Sequence, residues 1–410
     1  MKSRMGTQNL DEDAGSPSPR RLERNPVWLA AWIIPLALIL SVILFDVSTT
    51  LPNGSIHGAA LWGRDFVNVY TSGHLVRAGR YDILYDVDAY RAFQDQLFGA
   101  GRLKYHNYSY PPVSLLYTPL FAFLPYYAAL ALWLAGTGAL FVWAARPYLK
   151  SVGLPAALAV LMPASIVNMW AGHYGFLIGA MWLGAWNLLE RRPILAGALI
   201  GAMIVKPHLA ALAPLMLAAR GEWRAFAAAG LTAGALVGLS ALVFGADLWV
   251  TYLSATAGTQ AAMVNDVGTF FILMMPTVVP QLSILGFPLQ IAIAVQAFVA
   301  LAAVFAVIRA RHLDHRSFGL AGALATFLVL PYAFSYDMTA ANLACLVGMA
   351  GYLARSGNGM QKAWLAIAFT VPVTILTMSR LGIAIAPLLL AGALYALTNQ
   401  RQARDNPAAP

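Results

Sequence analysis

Charge is scarce in this sequence. Asp, Glu, Lys and Arg make up only 10% of its 410 residues, against roughly 25% in ordinary globular domains. Glutamate is confined to Glu12, Glu23, Glu190 and Glu222. With 60% of the residues apolar, this poverty of charge excludes a disordered chain, which needs low hydrophobicity, and it excludes collagen and an ordinary cytosolic enzyme. Cysteine is scarcer still. The single Cys345 can form neither an intrachain disulfide nor a thiolate metal cluster, which leaves helix packing as the framework. Runs of basic residues are absent too. The net charge of +9 is scattered in ones and twos, a pattern of topology determinants rather than of a nucleic-acid surface.

What the chain has in abundance is long uncharged runs, and the mean hydropathy is +0.67. Residues 27–45 carry no charge over 19 positions, about 29 Å of helix and enough to cross a hydrocarbon core of ~30 Å. No small-residue cleavage site follows closely, so this run reads as a retained first helix. Further runs at 126–145, 154–170, 176–190, 193–205, 207–219, 225–244, 287–308, 318–333, 338–354, 363–379 and 381–397 bring the total to twelve. The fold expected is an all-α polytopic membrane protein with about 12 transmembrane helices. Its domain spans residues 27–398, between a disordered cytoplasmic tail at 1–26 and a second cytoplasmic tail at 399–410. One long hydrophilic stretch, 46–110, forms a first non-cytoplasmic loop. With both termini inside, 18 of the 26 basic residues fall on the cytoplasmic side, and only Lys206 and Arg380 lie in short outer loops.

The acidic residues divide the other way. All four glutamates fall inside, whereas Asp46, Asp65, Asp82, Asp86, Asp88, Asp95, Asp247, Asp266 and Asp337 fall outside, with five of the seven histidines. Titratable groups are thus concentrated on the non-cytoplasmic face. A transfer site there has no access to nucleotide sugars, so its donor has to be lipid-linked.

Two segments depart from plain spans. Residues 193–205 and 207–219 are 13 residues each, about 20 Å as helix and too short for a full crossing. Between them lies Lys206-Pro207-His208, so a helical hairpin places an ammonium group below the outer surface, where it must face a cavity, a partner or an anion. Residues 246–286 mix polar and apolar positions in the manner of interfacial helices and a lid.

Several short elements recur in a telling order. They are the first-loop Asp65-Phe66, the Gly79-Arg80-Tyr81-Asp82 turn, Tyr110-Pro111-Pro112, Gly172-His173-Tyr174-Gly175-Phe176, Ala196-Gly197 with Gly201, Lys206-Pro207, and Tyr336-Asp337. In this order they resemble glycosyltransferase family 87, the polyprenol-phosphate-mannose-dependent mannosyltransferases of the GT-C class. The resemblance implies a GT-C type fold, a non-cytoplasmic active site, a polyprenyl-phosphate-linked donor sugar, typically mannose, and inversion at the anomeric carbon. It implies a lipid or glycan acceptor and residence in the inner (plasma) membrane. The family's first-loop catalytic aspartate carries over to Asp65. The glutamine that follows the glycine in the family's third-span loop is replaced here by His173.

The chemistry of such a transfer needs few groups. A phosphate leaving group departs as an anion, so no general acid is required, while one carboxylate must take the acceptor hydroxyl proton. Cations stabilise the developing phosphate charge, and Arg64 and Lys206 are the candidates. Tyr110, His173, His208, Asp82 and Asp337 complete the candidate binding residues, although Asp82 and Asp337 read as helix caps first and the two histidines as satisfied interior groups first. No cofactor is expected. No HxxxH or DxD spacing supports a metal site. The competing reading is a secondary transporter or lipid flippase, since broken helices and an intramembrane lysine suit carriers as well. The long first loop and the lack of a repeat between residues 27–219 and 225–397 argue against it, and the one-sided Asp and His argue against an inert scaffold.

Overall fold

The structure, a computed structural model, describes residues 25–104, 106–265, 271–354 and 359–399. Apart from Asn25, Pro26 and Asn399, the two expected tails lie outside the described residues, as does Asp266. Helix α1 (Pro26–Ser48) is started by Asn25, whose side chain accepts from the N–H groups of Val27 and Trp28. The first loop is largely helical, with α2 (Phe66–Arg77) and α3 (Val87–Phe98). There follow α4 (Tyr126–Lys150), α5 (Leu158–Leu161), α6 (Pro163–Ala171), α7 (Gly175–Leu188), α8 (Pro193–Ala202), α9 (Ala213–Ala219) and α10 (Trp223–Phe244). The chain continues through α11 (Ala246–Asn265), α12 (Val278–Ile284), α13 (Leu289–Arg309), α14 (His315–Val329), α15 (Thr339–Ala354), α16 (Gly359–Arg380) and α17 (Ala386–Thr398). No strand occurs among the described residues, only isolated bridges of Ile56 to Thr50 and Ala60.

Each of the twelve apolar runs contains helix, but among the described residues five helices have the length and hydropathy of a full crossing: α1, α4, α10, α13 and α16. Three of the breaks fall at prolines, which cannot continue a helix from the preceding turn. Run 154–170 breaks before Pro163, and Pro193 and Pro207 each open a new segment. Large side chains such as Leu36, Leu242 and Phe298 are exposed at 58%, 87% and 73%. Rows of such residues on helices otherwise packed together make a surface for lipid chains rather than for water. The fold is therefore that of an all-α, multi-pass membrane protein.

Helices approach closely where side chains are small or polar. A Cβ on Gly197 would run into the Ala225 carbonyl and one on Gly201 into the Ala229 carbonyl, so the Gly197-xxx-Gly201 spacing seats α8 directly on the backbone of α10. Asn342 ties three helices together. Its amide donates to the Phe369 carbonyl of α16 at 2.7 Å and accepts from the Ala164 N–H of α6 at 3.0 Å.

Candidate active site

The site forms where three loops cross. The first is the turn Gly63-Arg64-Asp65 ahead of α2. Arg64 adopts φ 34°, a left-handed conformation that is unfavourable for a side chain bearing a Cβ. It is held there by strong contacts. Its guanidinium donates to Asp46 Oδ2 at 2.6 Å and lies 4.0 Å above the Trp170 ring, while the Trp170 indole donates to the same carboxylate oxygen at 2.8 Å. Asp46 sits in the last turn of α1, where a negative charge opposes the helix dipole; the arginine offsets this. The next residue, Asp65, donates its N–H to the Ala171 carbonyl at 2.9 Å. It occupies the N-cap position of α2 yet makes no side-chain capping bond. By contrast, Asp86 at the start of α3 caps the N–H groups of Asp88 and Ala89. The Asp65 carboxylate is thus spared from the task its position would normally assign to it.

The second loop joins α6 to α7. Gly172 takes φ 64° to end α6, and a Cβ there would strike the Gly63 carbonyl and come within 2.9 Å of Phe66 Cβ. A Cβ on Gly175 would strike the Tyr336 carbonyl and the Asn168 side chain, which accepts from the Gly175 N–H at 2.8 Å. Thr339 then donates to the Gly175 carbonyl at 2.7 Å. Missing side chains at two glycines therefore let this loop touch the Asp65 turn on one side and the Tyr336–Asp337 turn on the other. Gly172→Ala is expected to cost about 1–2 kcal/mol from the left-handed backbone alone. Because the clash falls on the Asp65 turn, the turnover number should fall further than the thermal midpoint suggests. Parallel rate and thermal-unfolding measurements check this, and an unchanged rate would contradict the coupling.

The third loop is delivered by α8, which ends in the turn Met203–Val205 before Pro207 starts the next one. Lys206 lies between them, 7% exposed. Its Nζ donates to both oxygens of Asp337, at 2.6 and 2.7 Å, and stands 3.4 Å from His173 Nδ1. The other ring nitrogen of His173, Nε2, is 2.8 Å from the Tyr110 hydroxyl, and the ring stacks on Tyr336 at 4.1 Å. Tyr110 is in turn received by a buried tyrosine layer: Tyr85 donates to the Tyr110 carbonyl at 2.7 Å, and the Tyr110 and Tyr174 rings lie 4.7 Å apart.

Of the residues expected from sequence, the structure connects Tyr110, His173, Lys206 and Asp337 in one polar chain, with Asp65 within electrostatic reach of Lys206 and Asp337. Arg64 adjoins them but is committed to Asp46. His208 tilts against Tyr332 at 5.5 Å between ring centres, with a buried Nε2 that has no partner. Asp82 is exposed on the turn Tyr81–Ile83 and, among the described residues, shares no hydrogen bond or ion pair with the cluster. The Asp337 carboxylate, rather than capping a helix, is taken by Lys206. Sequence reasoning did not single out Asp46, Asn168 or Trp170. A carboxylate in the last turn of an apolar helix was the one available signal, since such a charge demands a partner. Among the described residues no three His, Cys, Asp or Glu side chains gather to hold a metal ion.

Burial pushes the Asp65 carboxyl up from 3.8 to about 6, against the pull of Lys206 and Arg64. Removal from water thus outweighs two nearby cations. A carboxyl poised near neutrality can accept a proton during a reaction and release it afterwards. The second charged pair is neutral as a unit, so a negatively charged ligand has to share Lys206 with Asp337.

No curated protein and no solved structure matches the chain. The family model "Glycosyltransferase family 87" matches residues 108–335. That segment includes Tyr110, His173, Lys206 and His208, ends two residues before Asp337, and begins after Asp65. It covers more than half of the sequence, and the chain belongs to glycosyltransferase family 87.

Proposed function

We propose that this membrane glycosyltransferase moves a sugar, mannose in the first instance, from a polyprenyl-phosphate-linked donor to a lipid or glycan acceptor on the non-cytoplasmic face of the inner membrane. The observation that carries the reading is the Asp65 carboxyl, unbonded at an N-cap position, raised to about 6 and set beside Lys206. In the proposed step an acceptor hydroxyl oxygen attacks the anomeric carbon from the face opposite the phosphate. The bond between that carbon and the phosphate oxygen breaks, its electron pair stays on the phosphate, and the hydroxyl proton passes to Asp65. Configuration inverts because attack and departure are on opposite faces. The phosphate turns from a diester with one charge into a monoester with up to two. Lys206, already desolvated and held by Asp337, meets that added charge as the bond breaks, where electrostatic contributions are strongest. Both groups lie in loops on the same side of the bundle as the first loop, the side that the basic residues assign to the exterior.

The test uses the full chain in lipid nanodiscs, given a polyprenyl-phosphate sugar labelled in the sugar and a membrane lipid extract, with products identified by mass spectrometry and anomeric configuration by NMR. A labelled product of inverted configuration is expected from polyprenyl-phosphate mannose and none from a nucleotide sugar. Transfer from the nucleotide sugar, or retention of configuration, would overturn the reading.

A further inference from the structure

Along α13 and α17, touching α14 at Leu328, runs an open groove of about 1320 Å³, larger than the roughly 300–1,000 Å³ of an ordinary small-molecule pocket. It extends from Phe298 in the middle of α13 to the turn Ala310–His312, and it shares no lining residue with the cluster around Asp65, Lys206 and Asp337. The walls are apolar, with Phe298, Phe305, Leu328 and Leu394 among the lining residues. The rim is not: Arg309, Arg311 and His312 crowd onto one turn there.

Both arginines are exposed, and neither has a carboxylate within ion-pair distance among the described residues. The turn that bears them is fixed from behind, because Arg220 donates to the carbonyls of Arg311 and Leu313 at 2.7 and 2.6 Å. His312 Nδ1 pairs with the Arg309 carbonyl at 2.9 Å, which leaves its other nitrogen for a ligand. A fixed cationic rim over a hydrocarbon-lined groove is complementary to one chemical class, a molecule with an anionic phosphate head and long apolar chains.

We infer that this groove binds an anionic glycerophospholipid, its phosphate between Arg309 and Arg311 and its acyl chains along α13 and α17. The site is separate from the transfer centre and does not depend on which sugar or acceptor is used.

Native mass spectrometry of the full chain, with phosphatidylglycerol and phosphatidylcholine supplied in equal amounts, tests it. Phosphatidylglycerol should be retained in preference. The R309Q/R311Q variant should lose retention by roughly 30-fold, at about fivefold for each basic residue near an anionic lipid surface. Ala306→Trp, which fills the groove one helical turn from Arg309 while keeping the basic rim residues, should lower retention of the lipid while the helical circular dichroism is preserved. Equal retention of the two lipids, or unchanged retention in R309Q/R311Q, would overturn the proposal. So would equally tight binding of glycerol 3-phosphate, which lacks the chains, or a dimer that Ala306→Trp splits, which would give the groove to a second copy.

Discussion

Asp65→Asn is expected to lower sugar transfer by about 10²–10⁴-fold, the usual contribution of a positioned general base, while the protein still folds. The amide keeps the size of the carboxyl and, since Asp65 makes no side-chain capping bond, removes no hydrogen bond on which α2 depends. Stability should shift in a definite direction. In the folded protein the carboxyl ionises at about 6 rather than 3.8. Between those values the folded state holds a proton that the unfolded state has released, so the wild type loses stability as pH rises through this window. The variant carries no such group. Its thermal midpoint should equal that of the wild type near pH 3.8 and exceed it increasingly up to pH 6. The same ionisation governs rate: wild-type transfer should climb about tenfold per pH unit below pH 6 and level off above it. Near-normal turnover by Asp65→Asn, or a flat wild-type profile between pH 5 and 7, would remove Asp65 from the role of base.

The second large effect concerns Lys206 and Asp337. Removing either partner strands a charge in a place where both are less than 10% exposed, and stability should fall by about 3–5 kcal/mol. Replacing both with apolar residues, Lys206→Met with Asp337→Leu, leaves no stranded charge and should restore most of that loss, since buried pairs are often replaceable by packed hydrocarbon. On the proposed function transfer should not return, because nothing then meets the charge of the phosphate leaving group proposed above. Thermal unfolding of the two single variants and the double variant, set beside their rates, separates the two roles. A stable double variant with normal transfer would show that the pair is only architectural.

Much of the architecture was legible because its determinants are local. Charge-free runs, prolines at segment starts and basic residues between runs announce helices and breaks one segment at a time, and the short hairpin around Lys206 was readable from length alone. What was not legible depends on contacts distant in the chain. Whether Asp337 caps its own turn or pairs with Lys206 is decided by the approach of residues 131 positions apart, and no local pattern encodes that. Asp46 was one of nine outer aspartates until Arg64 and Trp170 were seen to converge on it. Asp82 looked like a site residue because it stands in an ordered motif, but its turn faces outward. Asp65 was legible as a candidate through the motif order; its freedom from capping was not, since residues of the same type at N-caps, such as Asp86, do form the bond.

The turn at Gly63 and Asp65 meets Gly172 and Ala171 through main-chain atoms, the Gly63 carbonyl against Gly172 and the Asp65 N–H on the Ala171 carbonyl, while the Arg64 side chain pins it to Asp46 and Trp170. An enzyme whose reactive group is registered this way has a mutable lining and an immutable frame. Amino-acid changes among the surrounding aromatics can then alter what lies beside Asp65 while its carboxylate stays where it is. Diversification across such a lineage is then a matter of redecorating walls, whereas at Gly172 even the added methyl group of an alanine presses on the frame itself.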